Sequence, residues 1–446
     1  MTDDRYTDDR YTDDWYRDAR FGLFIHWGLY SLGAREEWLQ HYERLDAGAY
    51  AARYFDRWDP DLYDPERWAD AAAAAGMRYV VVTAKHHEGF CLWDSALTDF
   101  SAPNTPAGRD LLAPMLEAFR ARGIRTGLYY SLIDWHHPDF MVDVFHPLRD
   151  DRDALAANAE RNWDAYRSYL HGQVRELLTS YGRIDLLFAD FSYGRDVDHG
   201  PDSFDRLRGK NRFDWHSEEL LAMVRELQPG ILVNDRMGLR NGYDITTPEQ
   251  SVPGAWPERD GVRVRWEVCD TIGRGWGHRR EDPGYKTALQ LVTLLIDVVA
   301  KGGNLLLNVG PTARGEFDPV SSTRLAEIGG WLRRHGRSIY GCTQAPDGLS
   351  GALPPGVRAT WNPESDRLYL HLTEWPPHAL RIAGWQRKVA YAQLLHDASE
   401  VAVNEPAFVD GPVEGELHLR LPVERPDVVV PVVELFLEPG RPAVRS

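Results

Sequence analysis

The chain is poor in cysteine: Cys91, Cys269 and Cys342 are the only three in 446 residues. They are too few and too dispersed for a disulfide framework or a zinc cluster, and they fit a reducing compartment. No stretch approaches 18 apolar residues without charges, which excludes a helical membrane span. Residues 1–20 hold charge and no apolar run, so nothing there reads as a signal peptide, and no Asn-x-Ser/Thr sequon occurs. The expectation is a cytoplasmic protein. Positive charge is also scarce: 51 Lys and Arg face 68 Asp and Glu, a net charge of −17, with a pI near 5.4. Phosphates would meet net repulsion, which argues against nucleic acid or an anionic membrane as partner and points to a neutral ligand. A Gly-rich dinucleotide loop after a strand is missing as well.

What is present is aromatic. The chain carries 16 Trp, 20 Tyr and 16 His. Large aromatics dominate ordinary cores, yet the same faces pack against the C–H faces of sugars, and imidazoles bond hydroxyls. A hydrophobic content of 43% excludes wholesale disorder, and the length allows two or three domains.

Residues 1–14 repeat Tyr-Thr-Asp-Asp-Arg and read as a mobile acidic leader. From Phe21 short β-branched runs alternate with segments of helical period, as parallel strands alternate with crossover helices. The strands are expected at Phe21–Trp27, Arg78–Ala84, Ile124–Ser131, Ile184–Asp190, Ile231–Asn234, Val264–Val268 and Asn304–Val309. The helices are expected at Pro65–Gly76, Asp110–Arg122, Glu160–Tyr181, Trp215–Gln228 and Tyr285–Lys301, the first opened by Pro65 and closed by Gly76. Seven or eight such units indicate an α/β fold of the (β/α)8 barrel type over residues 15–343. Residues 344–446 lack helical period and carry Pro-rich turns between short alternating strands, among them Arg367–Leu372 and Val428–Leu437, the pattern of an antiparallel β-sandwich.

In such a barrel the C-terminal strand ends line the active site. Here they carry His26, then His86 and His87, Tyr129, Asp190, and Asn234-Asp235-Arg236. Imidazoles, phenols and a guanidinium converging on carboxylates, with no phosphate cradle, describe a pocket for a neutral polyhydroxylated ligand. Adjacent His86 and His87 point to opposite sides of an extended chain, so both face the pocket only if the backbone bends there. No Cys or Asp/Glu constellation around them supports zinc. Asp190 is followed by Phe191-Ser192-Tyr193-Gly194 instead of a helix start, which weakens a capping role. Glycoside hydrolysis needs a second carboxyl, and Glu249 in a loop and Glu267 within an apolar run both qualify, a structural ion pair with Arg265 being the alternative for Glu267. Trp276, framed by glycines, either stacks on a sugar or plugs the rim, while Lys301-Gly302-Gly303-Asn304 reads as a tight turn.

Together these segments resemble the α-L-fucosidases of glycoside hydrolase family 29, from about Phe21 to Tyr340. The resemblance rests on Phe24-Ile25-His26-Trp27-Gly28, Glu37-Trp38, Lys85-His86-His87-Glu88-Gly89-Phe90, Tyr129-Tyr130-Ser131, Asn234-Asp235-Arg236, Trp276-Gly277-His278 and Gly302-Gly303-Asn304-Leu305-Leu306-Leu307-Asn308. It implies a retaining double displacement without metal or cofactor on a terminal α-L-fucoside, with a C-terminal β-sandwich behind the barrel. By position, Asp190 matches the nucleophile, Glu249 the acid/base most often assigned, and Glu267 the other carboxylate of that neighbourhood. His26, Glu37, Trp38, His86, His87, Tyr129, Arg236 and Trp276 match positions lining the fucose pocket. The chain departs from the family at Glu88, where Asp is usual, and at Phe188, where Trp is frequent. The sugar methyl group is expected on a wall of Phe188, Phe191 and Trp276. Two other readings compete: a sugar-binding protein on an inactive scaffold, and an exo-glycosidase for another L-sugar such as L-galactose. Aglycone choice is expected to depend on the loop Asp196–Asn211 and on the sandwich. Nothing in the sequence fixes the oligomeric state.

Overall fold

A computed structural model describes residues 15–195, 207–377, 379–404 and 414–438. The expected leader at 1–14, and residues 196–206 of the expected aglycone loop, lie outside the described residues. Eight parallel strands form the first unit: β1 Phe21–Ile25, β2 Tyr79–Lys85, β3 Arg125–Ser131, β4 Leu186–Asp190, β5 Leu232–Val233, β6 Ile245–Thr246, β7 Arg265–Thr271 and β8 Asn304–Val309. Neighbours pair in chain order and β1 pairs with β8, Phe21 opposite Leu305. The Asn234–Ile245 bridge joins β5 to β6 and closes the ring.

Period-two alternation sorts every strand into an inner and an outer set. Phe24, Tyr79, Val81, Tyr129, Leu186, Phe188, Leu232, Ile245, Cys269 and Leu306 fill the barrel interior. Leu23, Ile25, Val80, Val82, Leu128, Leu187, Val233, Val268, Leu305 and Leu307 face the surrounding helices. Both faces are apolar, which is why the strands read as continuous hydrophobic runs. The main outer helices are α1 Pro65–Ala75, α2 Leu112–Ala121, α3 Trp163–Ser180, α4 Ser217–Leu227, α5 Ala288–Val299 and α6 Pro319–His335. Asp64 caps α1 by accepting from the Arg67 amide, and Gly76 ends it at φ 85°.

The fold class is as expected, with three differences in detail. Strand β6 was not expected, because two residues carry no periodic signal. Strand β7 runs on to Thr271, past the expected end at Val268. Helix α6 is not among the expected helices; within it Gly329 lets α6 lie against the Ala74 carbonyl of α1, where a Cβ would clash.

Beyond the barrel, β9 Thr343–Gln344, β10 Val357–Asn362, β11 Arg367–Leu372, β13 Val389–Leu394 and β16 Val432–Leu437 make one antiparallel sheet. Strands β12 Ala379–Ala383, β14 Ala402–Val403 and β15 Glu416–Arg420 make a second. Leu368, Leu370 and Leu435 of the first meet Leu380, Ile382, Leu417 and Leu419 of the second in one buried cluster. The unit is tied to α6, where the Trp331 indole donates to the Val430 carbonyl at 2.8 Å.

Candidate active site

The polar groups gather at the C-terminal rim. Asp190 ends β4 with its side chain turned inward, one step above Phe188 on the same face. Tyr129, directly below the rim on β3, donates to Asp190 Oδ2 at 2.8 Å. Burial, and next the Asp190 charge, raise the Tyr129 phenol well above its ordinary value, so it remains a donor. After β5 a 3-10 turn over Asp235–Met237 brings Arg236 back across the rim. Its Nη1 lies 3.0 Å from Asp190 Oδ1 and 2.9 Å from Glu249 Oε2. Two carboxylate oxygens held by one nitrogen are no more than about 6 Å apart, which leaves room for the ~5–5.5 Å separation of a retaining pair. Burial disfavours the Arg236 cation, but Asp190, with Cys269, Tyr193 and Glu249 adding to it, outweighs that cost and holds the guanidinium well above its usual range. Asp190 is 8% exposed, whereas the Glu249 side chain is 42% exposed and opens to solvent.

The imidazoles are preset by their neighbours. His26 Nδ1 lies 2.7 Å from Asn308 Oδ1, while Asn308 Nδ2 donates to the Trp276 carbonyl at 2.6 Å. The second bond fixes which end of the amide is oxygen, so His26 donates from Nδ1 and keeps its Nε2 lone pair. His87 Nδ1 lies 2.7 Å from Ser131 Oγ, whose proton goes to the Ile133 carbonyl at 2.7 Å. His87 therefore also donates from Nδ1. Burial, reinforced by the His86 charge, drives both rings well below their ordinary value and keeps them neutral. Two Nε2 acceptors suit a ligand that donates hydroxyl protons.

His86 and His87 both face this region, their ring centroids 3.9 Å apart. The backbone bend that this requires is present: β2 stops at Lys85, its register with β3 slips after Thr83, and Gly89 takes φ 85°. A Cβ at Gly89 would strike Asp134 Oδ1. Behind the turn Lys85 pairs with Asp134 at 2.9 Å, both fully buried, and the Trp135 amide donates to the His87 carbonyl at 2.8 Å. His86 stacks on Tyr129, and its Nδ1 stands 3.6 Å from Glu88 Oε2, beyond hydrogen-bond range.

The long segment after β1 supplies Glu37 and Trp38. Glu37 is buried, its carboxyl raised by that burial, and accepts from the Gly277 amide at 2.7 Å, which anchors the Trp276 turn. The Trp276 ring packs at 5.1 Å on His26. Trp38 meets His87 and Phe191 edge-on or tilted at 5.1 and 5.5 Å.

Two expectations need correction. Glu267 does not join the rim. It lies near the start of β7, opposite Asn304 at the start of β8, and takes hydroxyl bonds from Tyr16 and Tyr79 at 2.8 and 2.7 Å. Gly22 leaves the room that the Tyr79 ring needs there. Cys269, two residues further along the same face, is the β7 side chain that reaches Arg236, at 3.7 Å. Glu267 is thus part of the barrel floor. The single wall of Phe188, Phe191 and Trp276 is also divided. Phe188 and Trp276 both touch Phe24, at 5.1 and 5.8 Å, whereas Phe191 sits with Trp38 and His87.

Sequence reasoning missed Asn308, Ser131 and Tyr193. The first two sit inside motifs that carry the family resemblance but were given no role of their own, and their inward positions at strand ends were the available signal. Among the described residues no group of three His, Cys, Asp or Glu side chains could hold a metal ion, and no helix is long and apolar enough to cross a membrane.

Paired carboxylates on the rim of a closed parallel barrel beside hydroxyl acceptors define a glycoside hydrolase. The Alpha-L-fucosidase family profile matches residues 2–337. The chain belongs to the α-L-fucosidase family, glycoside hydrolase family 29. The tissue alpha-L-fucosidase of Rattus norvegicus is 31% identical over 350 residues, 72% of this chain and 68% of the relative. Alpha-L-fucosidase isoenzyme 1 from Paenibacillus thiaminolyticus superposes with a TM-score of 0.87 at 41% identity, covering 95% of this chain and 98% of that one. A Bacteroides thetaiotaomicron family 29 fucosidase, trapped as a covalent intermediate with 2-fluoro-fucosyl fluoride in a glutamate-to-glutamine mutant, superposes at 0.79 with 25% identity, over 95% of both chains.

Proposed function

We propose that the chain hydrolyses terminal α-L-fucosides with retention, Asp190 serving as nucleophile and Glu249 as acid/base. The observation that carries the assignment is the shared Arg236 nitrogen. In the first step Asp190 Oδ attacks the anomeric carbon while Glu249 gives its proton to the departing oxygen, so one carboxylate loses its charge as the other gains one. In the second step Glu249 takes a proton from water, whose oxygen displaces Asp190. The pair carries one negative charge before and after each step, and Arg236 touches both members, so its cation is never left without a partner. His26 and His87 accept hydroxyl protons of the sugar, and these bonds strengthen as positive charge develops on the ring. The three buried free thiols support a reducing, cytoplasmic setting.

The test uses an aryl α-L-fucoside. Asp190→Ala lowers kcat by at least ~10³-fold, and added azide then yields the β-fucosyl azide, because azide enters from the face that the carboxylate vacated. Glu249→Gln loses most on poor leaving groups, and azide yields the α-fucosyl azide. Normal turnover by Asp190→Ala, or the same azide anomer from both variants, overturns the assignment.

A further inference from the structure

Tyr193 has no part in the chemistry above, yet it stands beside it. The residue is 53% exposed, a large ring left open to solvent three positions after the nucleophile. It is not a stray surface side chain. Its ring meets buried Phe191 edge-on at 4.7 Å and 85°, and Phe145 flanks both at 6.5 and 4.7 Å. Its hydroxyl lies 3.4 Å from Arg236 Nη1, the nitrogen that also holds Asp190 and Glu249. Phe191 takes φ 82°, a left-handed conformation rare for an aromatic residue, and the chain turns there so that the Tyr193 hydroxyl comes beside the guanidinium instead of extending β4.

The direction of departure follows from the acid. Glu249 is the more exposed of the two carboxyls, while His26, His86 and His87 are all buried. The leaving oxygen must reach Glu249, so the group attached to it emerges between Glu249 and Tyr193. We propose that Tyr193, braced by Phe191 and Phe145, is the platform of an aglycone subsite that takes a six-membered ring, pyranose or aryl, with an apolar face. Such a ring loses water from that face against the phenol, while the Tyr193 hydroxyl holds the phenol in place through Arg236. The inference rests on the fucosidase reading above and deepens it.

The experiment compares three substrates of the full-length protein: α-L-fucosyl fluoride, which has no ring aglycone, 4-nitrophenyl α-L-fucoside, and a fucosyl-hexose disaccharide. For Tyr193→Ala the kcat/KM ratio of each ring substrate to the fluoride falls about ten-fold, carried by KM. Tyr193→Phe and Tyr193→Trp, which keep a ring, preserve the ratio. A fall for only one ring substrate assigns the platform to that source, aryl or sugar. An equal loss on fluoride and ring substrates overturns the platform, as does a Tyr193→Ala ratio unchanged from the parent. A parent chain inert towards all three substrates instead overturns the fucosidase reading itself.

Discussion

Replacing Asn308 by Asp changes one atom's identity at the back of the sugar site and should convert His26 from acceptor to donor. In the parent, burial and the His86 charge keep His26 neutral, with Nδ1–H on Asn308 Oδ1 at 2.7 Å. A carboxylate at that position puts charge centres about 4 Å apart, worth ~4 kcal/mol at an effective dielectric near 20, or roughly a thousandfold in the protonation equilibrium. The imidazole is therefore pulled upward, and as pH falls Nε2 acquires a proton where a sugar hydroxyl needs a lone pair. The assay is kcat/KM for an aryl α-L-fucoside from mildly acidic to mildly alkaline pH. The variant should show an acidic limb absent from the parent, activity dropping by about 10- to 100-fold as pH falls, the worth of one hydrogen bond turned into a donor–donor clash. Asn308→Ala is the control, because it also frees the Trp276 carbonyl but adds no charge. It should lower activity evenly with pH. If the Asp and Ala profiles have the same shape, the tautomer argument is wrong.

Two further expectations concern stability. Burial pushes the Glu267 carboxyl up to about 7. A raised folded value means its contribution is full at low pH and is lost as pH climbs from the ordinary carboxylate range through 7, so at pH 8 Glu267→Gln should be more stable than the parent, by up to about 3 kcal/mol, with chemical denaturation as readout. The same variant should retain its turnover, since Glu267 lies on the barrel floor. Lys85→Met strands Asp134 as an unpaired buried charge and should lower stability by about 3–5 kcal/mol; the double variant with Asp134→Asn should recover part of this in thermal melts.

The barrel was legible because its strands are buried on both faces and interrupted by capped helices, as the Asp64-Pro65 start and Gly76 stop of α1 illustrate. Asp190 and Arg236 were legible for the same reason, since a polar side chain at the end of an apolar run has one place to go. Glu267 misled because a carboxylate in an apolar strand reads the same at either end of a barrel, and only the two tyrosines, one of them 251 residues away in sequence, decide its depth. Asn308 was hidden because its value lies in two simultaneous bonds, one across the sheet to β1 and one to a loop, and spacing along the chain encodes neither. The left-handed turn at Phe191 carries no local sequence signal, and the rings packed around it, Trp38, His87 and Phe145, come from distant parts of the chain.

The seam between β1 and β8 has a bearing on biosynthesis. His26 and Asn308 are 282 positions apart, and their bond exists only once the last barrel strand has seated beside the first. Contacts so distant form late, after most of the chain has left the ribosome. A growing polypeptide can therefore hold its nucleophile and the histidine pair early and still have no affinity for sugar, with recognition switched on by ring closure.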